Sequence, residues 1–453
     1  MDASAFPACS RGRWLTLLAL IFVPALAASE SLSLREIWAL GLGGNPELVA
    51  AGRDAEASEF GLRRARADYA PSLSLFSRAT RYSAPHRIRI PAGVIDQDPR
   101  DFDIGTEWAY QLTVVATQDV STGGATRARV AMAEGELAAG RGARDAARED
   151  LLLDLTRAVF EVERARSVVD VALEEKRQAE GHVGKAVSFL ENHLVTRLDV
   201  LEAQGRLADV ERKLLSSFSA AEVARARLNR LLGRPLESAL TLADATVFDR
   251  PIPPLAECRR TALERRPALA SARGAAVKAR GQEEVARSQS RPRLSLFGSW
   301  TLGADPTFLT SDTSFWNVGA TVTWSLFDAG RRRADVGRAA ATKESAAARL
   351  RGAEEEVALE VLTAHRSAEE KDGLLRSLEV SVEAVRERLR LARERYAEGL
   401  GRGLDVLDAQ TAWARTETEL RTARLEVQLG RARLLHAMGV LSSALSSPPT
   451  PAR

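Results

Sequence analysis

Side chains able to do chemistry are sparse in this chain of 453 residues. The five histidines, His86, His182, His193, His365 and His436, do not cluster at metal-ligand spacing with cysteines or paired carboxylates, and no serine or cysteine stands in a nucleophile signature. Gly399-Leu400-Gly401-Arg402-Gly403 has the glycine density of a phosphate loop, but it lacks the preceding strand and the following Lys-Ser/Thr of a nucleotide site. No catalytic residue, metal or cofactor is expected, and the chain reads as a non-enzyme. What remains is an acidic pair, Asp405 and Asp408, three residues apart and so on one face of a helix. Taken alone, such a pair is a solvated helix face.

The elements that must hold this pair are long helices. The 17 prolines leave two windows empty, 100–234 and 307–447, rich in Ala, Leu, Glu and Arg. Helices are predicted over Thr126 to about Glu191 and Arg331 to about Glu398, each ~100 Å at ~1.5 Å per residue. Shorter helices follow, with heptad seams at Val200, Leu207, Leu214, Ala221 and Leu228, and at Val406, Trp413, Leu420, Val427 and Leu434. Two turns join long to short helix: 192–197, containing Leu194, and 399–403, containing Gly399 and Leu400.

The second window copies the first. Asn45-Pro46-Glu47-Leu48 recurs as Arg266-Pro267-Ala268-Leu269, and 71–76 recurs as 292–297, at an offset of 221. Leu198-Asp199-Val200-Leu201-Glu202-Ala203-Gln204 recurs as 404–410 at an offset of 206, pairing Asp199 with Asp405 and Glu202 with Asp408. The missing 15 residues are extra length between Phe76 and about Val120, a stretch with Pro85, Pro91 and Pro99 and the acidic run Asp96, Asp98, Asp101 and Asp103 that reads as a long surface loop.

Four segments alternate as strands. Trp108, Tyr110, Leu112, Val114 and Ala116 share one face; Trp316, Val318, Ala320, Val322, Trp324 and Leu326 form another apolar face; Leu294, Leu296 and Trp300, and Leu73 with Leu75, repeat the pattern. Trp316 and Trp324 lie ~26 Å apart at ~3.3 Å per residue, the spacing of two aromatic girdles on a membrane strand. A soluble sandwich is the plainer reading of the alternation alone, but strand pairs in a secreted chain without hydrophobic helices favour an outer-membrane sheet.

The N-terminus carries Arg11 and Arg13, an apolar run from Trp14 to Leu26 and Ala25-Leu26-Ala27: the pattern of a signal peptide, 1–27. Its removal leaves Cys258 as the one cysteine and takes the formal charge from +3 to +2, too weak a field to imply nucleic acid as partner. With no further long apolar run, membrane contact must come from strands. Four strands cannot close a barrel, and open edges are not tolerated in lipid, so oligomerisation is expected. A pore needs more than the eight strands of two copies.

In the order of these motifs, with Trp324-Ser325-Leu326-Phe327-Asp328-Ala329-Gly330-Arg331 and Arg395-Tyr396-Ala397-Glu398-Gly399 followed by 404–410, the chain resembles the TolC-like outer-membrane efflux proteins (outer membrane factors). The resemblance covers nearly the whole chain from Leu32 to Gly439. It implies a mainly helical fold of long antiparallel coiled-coil hairpins forming an α-barrel, with four strands per protomer in a trimeric 12-stranded outer-membrane β-barrel. The expected organisation is a first repeat over 28–234, an inter-repeat linker over 235–254, a second repeat over 255–441 and a flexible tail over 442–453.

The implied role is a passive channel-tunnel of a tripartite efflux or secretion system, in the cell outer membrane and extending into the periplasm. The implied partners are two further copies (a homotrimer), outer-membrane lipid, a periplasmic adaptor and an inner-membrane pump of RND, ABC or MFS class. Leu194, Gly399 and Leu400 become candidate adaptor-docking tips, and Trp108, Tyr110, Trp300, Trp316 and Trp324 membrane-interface aromatics. Asp405 and Asp408 become a pore constriction, with Tyr396 helping to tie it shut by a hydrogen bond to Asp199; Glu202 is the counterpart of Asp408. Where the family can carry an arginine five residues after the tyrosine, this chain has Gly401, with Arg402 next. The competing reading from another class is a periplasmic coiled-coil adaptor or scaffold, which should show one helical hairpin between β-rich modules.

Overall fold

The computed structural model describes residues 31–95, 97–104, 107–243, 248, 250–304 and 314–444. The expected signal peptide, Asp96 and residues 445–453 lie outside the described residues.

Local chemistry sets the helix starts. A two-residue strand β1 (Ser31–Leu32) precedes α1 (Leu34–Gly44). The Glu36 N–H donates to the Ser33 hydroxyl, and the Ser33 N–H donates back to the Glu36 carboxylate at 2.7 Å. Asn45 ends α1 and opens α2 (Pro46–Ala67), its Oδ1 accepting from the N–H groups of Glu47 and Leu48 at 2.9 and 3.2 Å. The Asn-Pro-Glu-Leu motif is thus a corner between two helices, with proline where no N–H is missed.

After β2 (Ser72–Arg81), β3 (His86–Ile90), β4 (Arg100–Ile104) and β5 (Trp108–Ser121) come α3 (Ala125–Glu191) and α4 (Arg197–Leu231). The second half runs β6 (Thr241–Leu242), α5 (Leu255–Arg265), α6 (Pro267–Ser288), β7 (Arg293–Ala304), β8 (Ser314–Thr323), α7 (Arg331–Ala397), α8 (Gly403–Ala437) and α9 (Leu441–Ala444). Helices of 11, 22, 67 and 35 residues follow one another in both halves. Ser442 to Ala444, expected in the tail, are helical, and Glu149 accepts the N–H groups of Leu441 and Ser442 at 3.0 and 3.2 Å.

The helices form a palisade. α3 packs on α2 and α6 toward the strands and on α4 and α8 toward the far tip, while α7 packs on α6 and α8. Near the strands the approach is close: a Cβ on Gly274 of α6 would lie 2.5 Å from the Gly135 carbonyl of α3, and one on Gly135 would lie 2.7 Å from the Gly274 carbonyl. α3 has buried residues along its length, whereas α7 has none before Val357, so one flank of the palisade is open. Midway, α1 buries Ile37 and Trp38 among Leu152, Leu155, Val159 and Leu228, and α5 buries Cys258 and Ala262 against Val361 and Leu434. This equator is also tied by polar contacts: Arg266 pairs with Glu360 at 2.9 Å, and His436 Nε2 lies 2.7 Å from Asp150 Oδ1. β1 and β6 pair in parallel beside it.

At one end stands an antiparallel sheet in the order β2-β5-β7-β8. Directly paired residues share a face. One row is Leu75, Val114, Trp300 and Trp316; the row one residue along on the other face is Phe76, Thr113, Thr301 and Phe315. Nearly every residue of β2 and β8 is exposed, on both faces.

Two expectations are corrected. The alternation expected to run to Leu326 ends at Thr323, because Asp328 pulls the chain into the next helix: it accepts from the N–H groups of Gly330 and Arg332 at 3.2 and 3.0 Å and pairs with the Arg332 guanidinium. The turn passes through Ala329 and Gly330 at φ 54° and 86°. The stretch expected as a loop before β5 is built around a hairpin, β3 with β4. Two of its aspartates are cross-strand partners, Asp103 of Arg87 and Asp101 of Arg89, each at 2.8 Å.

Candidate functional site

The turns at the far tip share one geometry. The Leu194 N–H donates to the Phe189 carbonyl at 2.8 Å and the Leu400 N–H to the Arg395 carbonyl at 2.8 Å, closing α3 and α7 through a left-handed residue. In the first turn that residue is His193 at φ 59°; in the second it is Gly399 at φ 74°, where the conformation is unstrained. Both turns push a leucine into solvent: Leu194 and Leu400 are each 70% exposed. Leu198, Leu201 and Leu404 are exposed close by in sequence. Sequence reasoning singled out only the turn residues; the recurrence of Leu198 as Leu404 at the 206 offset was the signal available.

Asp199 and Asp405 occupy the third position of α4 and α8. Asp199 is engaged in a capping box through one oxygen: its Oδ2 accepts from the Thr196 hydroxyl at 2.7 Å and the Thr196 N–H at 2.8 Å. These bonds hold its carboxyl below the usual aspartate range. In the second turn Arg402 stands where Thr196 stands in the first, and only its N–H reaches Asp405, at 3.4 Å. Asp405 is therefore the freer carboxylate. Asp408 and Glu202 are exposed and make no ion pair among the described residues.

Tyr396 corrects the expected tie. It is buried in the last turn of α7 against the rings of His182 and Phe189 of α3, with centroids at 5.3 and 5.4 Å. Its hydroxyl has no hydrogen-bond partner among the described residues, so the bond expected to Asp199 is not formed within the single chain, where Thr196 engages Asp199 Oδ2. Burial first, and the Asp199 charge second, hold the phenol above its ordinary value. Burial also pushes His182 down, helped by Lys185 and Arg393. A side chain at Gly401, the position at which the resemblance implied an arginine, would place its Cβ 3.1 Å from the Tyr396 nitrogen.

Two buried carboxylates above the tip went unnoticed in the sequence. Glu175 of α3 joins Arg206 and Lys213 of α4 at 2.7 and 2.9 Å, and Arg206 donates on to Thr411 of α8. Glu417 of α8 joins Arg386 of α7 and Arg421 at 2.9 and 3.1 Å. Their signal was a charge in the core phase of a helix, as Glu175 stands between Val171, Ala172 and Ala179.

At the opposite end the aromatics share the apolar sheet face. Trp300 and Trp316 are direct partners, and Trp108 stacks on Tyr110 at 6.2 Å. Trp324 lies one residue beyond β8, its indole N–H donating to the Ser290 carbonyl at 3.2 Å. All five are between 45% and 74% exposed, and the four within strands lie on the face opposite one rich in hydroxyls and amides.

Residues 40–234 and 259–440 match the family model for outer membrane efflux protein. The alkaline protease secretion protein AprF of Pseudomonas aeruginosa is 27% identical over 302 residues, 65% of this chain and 63% of AprF. The pyoverdine export outer membrane protein OpmQ of the same organism is 29% identical over 251 residues, 52% of this chain and 50% of OpmQ. The match to this chain thus covers 50–63% of the length of these curated relatives. The solved outer membrane protein VceC of Vibrio cholerae has the same fold, with a TM-score of 0.74 at 22% identity over 90% of this chain and 96% of VceC. With both helical halves matched by the family model, this chain belongs to the outer membrane efflux protein family.

Proposed function

We propose that the protein is the passive exit duct of a tripartite export system, three copies closing one twelve-stranded barrel above an α-helical tunnel that reaches into the periplasm. The observation that carries this reading is the sheet: four strands, apolar across one face, with β2 and β8 left as unpaired edges. Edges in lipid must be paired, and pairing β8 of one copy with β2 of the next is the antiparallel solution. The open flank of α7 meets the α2 and α4 side of the neighbour in the same operation. The equal helix lengths of the two halves support a duplicated unit, which turns three copies into a nearly six-fold wall.

The tip leucines would dock a periplasmic adaptor, and an inner-membrane pump of the RND, ABC or MFS class would supply the energy. Asp405 and Asp408, repeated about the axis, would form an acidic, cation-selective constriction. The relatives' names speak of a protease and of pyoverdine, so the shared architecture singles out neither cargo. The deciding experiment is migration of the outer-membrane fraction with and without heating, together with conductance in planar bilayers. A heat-sensitive trimer with a discrete conductance is expected; a monomer that conducts nothing would sink the proposal.

A further inference from the structure

The sheet face opposite the tryptophans is a wall of neutral hydroxyls and amides, with Thr113 and Thr301 hydrogen-bonded across it at 3.2 Å and Ser299 bonded to Asn317 at 3.0 Å. Val115 and three phenylalanines interrupt that wall. Phe76 and Phe315 end the Thr113–Thr301 row on the two edge strands and are 60% and 54% exposed in the single chain. Phe297 lies down on the backbone of its direct partner Gly319: a Cβ there would come within 2.6 Å of its Cζ.

Two residues above Phe76, on the same face, stands Arg78, exposed and without an ion pair among the described residues. The other charges on this face are Arg293 and Asp119, and the Asp119 carboxylate accepts the Ser295 hydroxyl at 2.5 Å. Each copy therefore carries a net positive charge on this face beside exposed rings. A bare phenyl ring and an unpaired guanidinium roughly 7 Å apart along one strand complement a flat ring bearing one negative charge.

We propose that this face binds small aromatic carboxylates during passage, the ring against Phe76, the carboxylate on Arg78, and Phe315 and Phe297 offering further ring contacts. The proposal rests on the channel reading, which makes this face the lumen.

The test uses the purified full-length protein in planar bilayers with 1-naphthoate as probe and cyclohexanecarboxylate as a non-aromatic anion. Naphthoate is expected to reduce the current at concentrations where cyclohexanecarboxylate does not. Phe76→Ala with Phe315→Ala should raise the half-blocking concentration about tenfold, as loss of aromatic contacts predicts. Arg78→Gln should weaken the block too, and Phe76→Tyr with Phe315→Tyr should retain it. Should the alanine pair fail to assemble, Phe76→Leu with Phe315→Leu keeps the bulk, removes the ring and carries the same expectation. Equal block by the two anions, or undiminished naphthoate block after ring removal, overturns the site while leaving the channel intact. Absence of any conductance from the native protein overturns the channel reading and the site together.

Discussion

Thr196 and Arg402 occupy equivalent places in the two tip turns, and that difference decides which aspartate is free to act. Asp199 spends its carboxylate on capping α4; Asp405 has one long contact to the Arg402 N–H. Thr196→Ala should therefore cost about 1 kcal/mol, the usual loss for an N-cap hydroxyl. Because the folded Asp199 carboxyl titrates below its ordinary value of 3.8, its contribution is present above that pH and is lost as pH falls through the folded value. The gap between native and Thr196→Ala melting temperatures should accordingly be full at pH 7 and close in strong acid; a gap independent of pH would exclude the capping account. Asp405→Ala with Asp408→Ala should raise single-channel conductance and lower cation selectivity, and unchanged traces would remove the pair from the pore. The helical phase of that pair was legible in the sequence. The burial of Tyr396 against His182 was not, since 214 positions separate residues that only the hairpin fold brings together.

At the scale of elements, proline-free windows located the long helices to within a residue: Ala125 against an expected Thr126, and Ala397 against about Glu398. They did so because a 67-residue helix tolerates no internal proline. Where the sequence misled, a side chain acted on backbone beyond its own element. Asp328 ends the β8 alternation early by capping α7, and Arg87 and Arg89 convert an acidic loop into a hairpin. The helix crossing at Gly135 and Gly274 was invisible for a related reason, because close approach depends on both partners. Gly274→Ala should force α3 and α6 apart and cost about 1–3 kcal/mol. Gly181→Ala, with nothing within 4 Å of the added carbon, should instead stabilise α3 by up to about 1 kcal/mol. Chemical denaturation of the two variants in detergent checks the opposite signs.

At the scale of the whole molecule, the aromatic sheet face and the exposed tip leucines lie at opposite ends of α3 and α7, ~100 Å apart. Leu400→Asp at the tip should abolish cross-linking to an adaptor while the trimer and its conductance persist; loss of the trimer would show that the tip helps to hold the copies together. The matched lengths of the helices in the two halves carry one more implication. Each 67-residue helix is backed by a 22- and a 35-residue helix placed end to end, and the salt bridges of Glu175 and Glu417 fix the sliding position of α4 and α8 against their long neighbours. The helix palisade is thus a ruler that cannot be shortened on one edge. Removing one heptad, ~10 Å, from α3 alone should move Glu175 out of reach of Lys213 and prevent assembly, whereas removing it from α3, α4, α7 and α8 together should yield a working trimer that stops ~10 Å nearer the membrane. Length in this architecture is inherited in four coordinated steps of seven residues, so the distance that the proposed duct would span resists drift by single insertions.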